Sequence, residues 1–129
     1  MIKNILLLED DEDVAFIVKY YLEKEKININ IVSEISDALT LLKVKDKLPD
    51  LVLFDLFVGN DYGGDFVDEV EKDSELPDLP LILITGSKNS EKIDSITSKK
   101  NVIGMIEKPF SSNYLFKQIK LLYSQYGEK

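Results

Sequence analysis

The chain of 129 residues has no cysteine and no histidine. Without cysteine there is no disulfide, no thiolate nucleophile and no zinc ribbon, a composition that fits a reducing compartment. Without histidine the chain cannot build a Ser-His or Cys-His nucleophile pair, an imidazole metal site or a phosphohistidine relay of its own. Cations are in deficit too, since 16 Lys and Arg against 24 Asp and Glu leave a formal charge of −8. Binding to nucleic-acid phosphates depends on basic residues that release counterions, so direct nucleic-acid binding is not expected. No apolar run is long enough to cross a bilayer, and the brief one after Lys3 has no small-residue cleavage pattern behind it. The expectation is a cytoplasmic protein that does not enter a membrane. The chemistry left to it uses carboxylates, hydroxyls, lysines and a hard metal ion.

What is present is a 44% hydrophobic complement, enough for one core and too little chain for two ordinary domains. One domain over residues 1–129, with no output domain, is expected. No repeat, low-complexity tract or Pro/Gly/Ser linker interrupts it, and Pro49, Pro77 and Pro80 punctuate loops just before expected strands. Short apolar runs alternate with segments of helical period, the pattern of repeated βα units and of a parallel sheet covered on both faces. The spacing predicts β1 over 3–8, α1 over 13–26, β2 over 30–32, α2 over 36–45 and β3 over 51–54. It continues with α3 over 64–72, β4 over 81–84, α4 over 90–99, β5 over 102–106 and α5 over 111–126.

Val14, Ile17, Val18, Tyr21 and Leu22 give α1 one apolar stripe, and Leu115, Ile119 and Leu122 do the same for α5, with Ser111 or Ser112 placed as its cap. The α4 segment offers only Ile93 and Ile96 among poor helix formers, which predicts a loosely packed, movable helix.

Charged anchors stand at the ends of separate apolar runs: Glu9-Asp10-Asp11 after β1, Asp55 after β3 and Lys108-Pro109 after β5. In an open parallel sheet the ligand crevice lies beyond the carboxyl ends of the strands, so these anchors meet at one edge. Glu9, Asp10 and Asp55 brought together repel one another, and Mg²⁺ or Mn²⁺ relieves that repulsion while keeping several waters. Some of Asp11, Glu12 and Asp13 are expected to cap α1, a role that does not explain Glu9 and Asp10. A carboxylate fixed at the end of β3 can attack a phosphoryl group in line and form an aspartyl phosphate. Thr85 can donate to a phosphate oxygen and Gly86 leaves a backbone N–H accessible. Lys108 can be aimed at the phosphate as a point charge. The run Asp61-Tyr62-Gly63-Gly64-Asp65 reads as a flexible loop leading into α3.

Taken together, Leu8-Glu9-Asp10-Asp11, the run from Pro49 to Leu56, Ile84-Thr85-Gly86 and Lys108-Pro109-Phe110 resemble the receiver domain of two-component response regulators over essentially the whole chain. The steps from Asp55 to Thr85 and to Lys108 look like those of the family, and Gly63 falls where such domains usually carry a glycine. The resemblance implies a flavodoxin-like α/β fold, a five-stranded parallel sheet of order 2-1-3-4-5 with five helices on both faces. It implies that Glu9, Asp10, Asp55 and the Phe57 carbonyl hold Mg²⁺ (or Mn²⁺), that Thr85 and Lys108 bind the phosphate, and that Lys108-Pro109 is a cis peptide. Two positions depart from the family pattern. Gly59-Asn60 stands where a proline is usual, which predicts a more mobile loop. Met105 stands where an aromatic switch residue is usual, and a thioether can change rotamer but cannot report the change through a hydroxyl.

The resemblance thus implies a stand-alone receiver, similar to the chemotaxis receiver. Asp55 would take a phosphoryl group from a histidine kinase or phosphotransfer protein and switch binding of a downstream protein through the α4-β5-α5 face, as a monomer or a phosphorylation-dependent dimer. Such a module is not an enzyme beyond self-dephosphorylation. The alternative is a pseudo-receiver, a constitutive protein-binding module indifferent to phosphorylation. A phosphohydrolase resembling haloacid dehalogenases is a weaker rival, because those enzymes place a second aspartate where this chain has Phe57.

Overall fold

The computed structural model describes residues 1–127. In chain order the elements are β1 Asn4–Leu8, α1 Glu12–Glu23, β2 Asn28–Val32, α2 Ile35–Leu42, β3 Leu51–Asp55, α3 Gly63–Lys72, β4 Leu81–Thr85, α4 Ser90–Thr97, β5 Val102–Glu107 and α5 Ser112–Gly127. The five strands form one parallel sheet in the order β2-β1-β3-β4-β5, the flavodoxin-like arrangement.

Successive strand residues face opposite sides of a sheet, and here both sides are covered. Ile5 and Leu7, Leu51 and Leu53, and Ile82 and Ile84 join Val18 and Leu22 of α1 and Leu115 and Ile119 of α5 in one layer. Leu6 and Leu8, Val52 and Phe54, and Leu81 and Leu83 join Ala38 of α2, Phe66 and Val70 of α3 and Ile96 of α4 in the other. That two-sided burial is why the strands read as unbroken apolar runs. At the amino end of the sheet the Asp50 carboxylate accepts the N–H groups of Lys3 and Asn4 at 2.8 and 2.9 Å, tying the entry of β1 to that of β3.

The helix boundaries differ from the periodicity in instructive ways. Helix α1 stops before residue 26 because Lys26 adopts a left-handed conformation, φ 65°. The Ile27 N–H then donates to the Leu22 carbonyl at 3.2 Å and the Lys26 N–H to that of Glu23 at 3.0 Å. This is a Schellman closure completed by packing of buried Ile27 and Leu22 in one cluster. Ile17, assigned to the buried stripe, is 44% exposed, and Ala15 takes the buried position instead. Helix α2 ends at Leu42 rather than Lys45, where Lys43 and Val44 bond back to Thr40 and Leu41 and a short 3₁₀ turn, Lys45–Lys47, leads toward β3. The Asp11 carboxylate caps α1 through the N–H groups of Asp13 and Val14, and the Ser111 hydroxyl accepts the Tyr114 N–H at the start of α5.

The largest correction concerns the segment after Asp55. Instead of a flexible loop, Phe57–Val58 and Asp61–Tyr62 pair as a small antiparallel hairpin. Its two-residue turn has Gly59 at φ 64° and no positive φ at Asn60, the φ pattern of a II′ turn, which calls for glycine at the first central position. Glycine there shapes a turn, and α3 begins at Gly63 directly behind it.

Candidate functional site

Glu9 lies one residue beyond β1, and its N–H donates to the Val32 carbonyl at 3.0 Å, continuing the β1-β2 ladder and turning its side chain into the protein. It is only 4% exposed. Asp55 ends β3 opposite Ile84 of β4, and one of its carboxylate oxygens accepts the Leu56 N–H at 2.7 Å. Its other oxygen, Oδ2, accepts from Lys108 Nζ at 2.7 Å, and the same ammonium donates to Glu9 Oε1 at 2.9 Å. Lys108 is carried to this point because β5 pairs with β4 up to Thr85-Glu107 and its N–H donates to the Thr85 carbonyl at 3.0 Å. The Lys108-Pro109 peptide is cis.

Glu9, Asp55 and Lys108 are therefore in direct contact. Thr85 shares the same sheet edge, buried, with its hydroxyl accepting the Ser87 N–H at 3.0 Å. The Thr-Gly-Ser run at a strand end is the sequence signal for that hydroxyl turn, and Ser87 was not among the expected site residues. Asp10 is exposed. With Glu9 it lines an open cleft of about 1060 Å³ whose far wall includes Gly59, Asn60 and Asp61 of the hairpin. Phe57 packs its ring against Tyr62 at 6.0 Å between centroids and is 44% exposed.

Two opposing influences act on Glu9. Burial raises its pKa, the hydrogen bond and charge of Lys108 lower it, the neighbouring Asp55 raises it, and the net direction is up. For Lys108 burial works against the charged form, but hydrogen bonds to Asp55 and Glu9 and the charges of both outweigh it, so its pKa is also raised. One ammonium thus serves as counter-charge to two carboxylates in a half-dry pocket.

Hard oxygens of Glu9, Asp10, Asp55 and the Phe57 carbonyl match a small divalent cation in kind. Among the described residues no group of three carboxylates surrounds a common point. The fit lies in donor chemistry, and waters would complete the coordination shell.

Gly63 fixes the geometry behind Asp55. Its N–H donates to the Leu56 carbonyl at 2.6 Å, and a Cβ at this position would run into the Asp55 carbonyl oxygen. Met105 is partly buried and packs on the core beside α4, opposite Leu83.

Residues 5–120 match the family model for the response regulator receiver domain. The chain belongs to the response regulator receiver domain family. Among solved structures it is similar to a CheY-like response regulator receiver domain protein from Methanospirillum hungatei JF-1, with 25% identity, a TM-score of 0.82 and all of each chain covered. It is also similar to the signal receiver domain of a putative LuxO repressor protein from Vibrio parahaemolyticus, at 22% identity and a TM-score of 0.82, covering 97% of this chain and 92% of that one. NtrX from Brucella abortus is 26% identical with a TM-score of 0.83, and the match covers 97% of this chain but 27% of that one. The receiver fold is thus matched both by separate receiver domains and by part of a longer protein. No helix among the described residues of this receiver is long and apolar enough to cross a membrane.

Proposed function

We propose that this receiver is a phosphoacceptor of a two-component relay, with Asp55 as the acceptor. The reading rests on one observation: a strand-end carboxylate, only partly exposed, is held at 2.7 Å from an ammonium that also binds a buried acid. In the transfer, an Asp55 oxygen attacks the phosphorus of a phosphohistidine in a partner protein, the phosphorus–nitrogen bond breaks, and the imidazole leaves with a proton from solvent. The chain has no histidine, so the donor is a histidine kinase, a phosphotransfer protein or a small phosphodonor. Lys108 neutralises phosphate oxygens, and the Thr85 hydroxyl turns from the Ser87 N–H to donate to one of them. Glu9, Asp10, Asp55 and the Phe57 carbonyl would hold Mg²⁺ (or Mn²⁺), which would offset the negative charge of phosphate and carboxylates.

Output follows as a population shift of the α4-β5-α5 face. Only Ile96 of α4 is buried, which supports a helix held by few core contacts. The protein acts by binding a downstream protein rather than as an enzyme on an external substrate, in the cytoplasm.

Incubation with phosphoramidate or acetyl phosphate and Mg²⁺, followed by intact mass, tests the assignment. A mass gain of one phosphate that disappears in Asp55→Asn is expected. No gain, or a gain that survives the substitution, overturns it. Met105 favours a second reading, a constitutive binding module, because a thioether cannot transmit the hydroxyl movement of Thr85 by a polar contact. That reading predicts mass gain without any change in partner affinity.

A further inference from the structure

Lys92 occupies the first turn of α4, where the Asn89 side chain accepts its N–H at 3.1 Å. A cation at the positive end of a helix is misplaced with respect to the helix dipole. Among the described residues it has no carboxylate partner. Its ammonium instead lies 5.4 Å from the ring centroid of Phe57 and 5.1 Å from that of Tyr62. Those two rings are themselves stacked at a tilt across the first pair of the hairpin, Phe57 with Tyr62. The negative ring faces supply what the helix end withholds.

The hairpin is well placed to transmit motion. Phe57 stands two residues beyond Asp55, and the Tyr62 ring lies so close over Gly64 that a Cβ there would strike it. The paired backbone of Phe57–Val58 and Asp61–Tyr62 therefore links the strand end to α3.

We infer that Lys92 is a positioning residue, coupling α4 to the segment that follows the phosphoacceptor through a clasp on Phe57 and Tyr62. The inference rests on the function proposed above, since the clasp regulates only if Asp55 is modified. It gives α4 a direct hold on the acceptor segment that does not pass through Thr85 and Met105.

Two measurements on the intact chain test it. Amide hydrogen exchange without ligand should be about three-fold faster across Ser90–Thr97 in Lys92→Gln and in Phe57→Leu, no faster in the double variant, and normal in Lys92→Arg. Additive effects, or unchanged exchange in the single variants, overturn the clasp. Backbone amide shifts on adding beryllofluoride and Mg²⁺ then separate site from relay. Shifts at residues 55–58 in wild type, Lys92→Arg and Lys92→Gln alike, with α4 shifts retained in wild type and Lys92→Arg but lost in Lys92→Gln, support the coupling. If α4 responds equally in Lys92→Gln, the coupling falls while the acceptor role of Asp55 stands. If wild type shows no shift at residues 55–58, the acceptor role falls and takes the regulatory role of Lys92 with it.

Discussion

Lys108 Nζ stands between Asp55 and Glu9, 2.7 Å from one carboxylate and 2.9 Å from the other, so one lysine balances two acids whose side chains are 17% and 3% exposed. Removing one partner of a buried pair leaves the others unscreened in a medium that penalises charge. Lys108→Met is expected to lower stability at pH 7 by about 2–3 kcal/mol, a discount on a fully buried pair because Asp55 and Lys108 keep some contact with water. Urea denaturation should show the loss in the midpoint with an unchanged slope, and millimolar Mg²⁺ should restore part of it.

Glu9 carries the opposite sign. Its folded pKa is raised above the ordinary 4.5, first by burial, so the folded state holds the proton more tightly than the unfolded chain does. The stability linked to that proton is fully present below 4.5 and is lost as pH rises through the folded value. Glu9→Gln should therefore raise the melting temperature at pH 7 by roughly a few degrees. The advantage should shrink as pH falls and vanish below 4.5. A gain that is constant from pH 4 to 8 would mean that packing, not ionisation, is responsible.

Two glycines at the site edge should respond very differently to alanine. At Gly63 the new methyl meets the Asp55 backbone oxygen, and because the obstacle is main chain the strand end must shift. A cost of about 2–3 kcal/mol is expected, with altered amide resonances at Asp55 and Leu56. At Gly86 a Cβ would sit 3.6 Å from the Lys108 Cβ, an ordinary contact, and thermal unfolding should change by less than about 0.5 kcal/mol.

Phe54 is fully buried and its ring lies 6.0 Å from that of Phe66, joining β3 to α3 directly beneath the site. Phe54→Ala should cost about 3–5 kcal/mol in chemical denaturation. The milder Phe54→Leu should lose less and keep the phosphodonor labelling proposed for Asp55.

Much of this was legible in the residues for a physical reason. Strands such as Leu51-Val52-Leu53-Phe54 are apolar on both faces because helices cover both, and Asp55 interrupts that pattern where the strand meets solvent. The close of α1 was not legible, because Lys26 takes a conformation that usually asks for glycine. Nor was the hairpin, since Phe57–Val58 and Asp61–Tyr62 are too short for alternation to show. Spacing placed Glu9 and Lys108 at one edge, but their bond spans 99 residues of chain, and periodicity carries no information on that scale. The same limit left open that Asp10 faces water while Glu9 faces inward, a difference set by the ladder bond from Glu9 to Val32.

The Asp50 carboxylate, far from Glu9 and Asp55, has a consequence for both. By gripping the amides of Lys3 and Asn4 while its own N–H donates to the Asn4 carbonyl at 2.8 Å, it locks β1 and β3 so that Ile5 lies beside Leu51 and Leu8 beside Phe54. A slip of one residue would turn Glu9 to the opposite face of the sheet and strand Lys108 with a single acid. The alignment of Glu9 and Asp55 on Lys108 is thus guarded from the far end of the molecule, by an aspartate that never touches them.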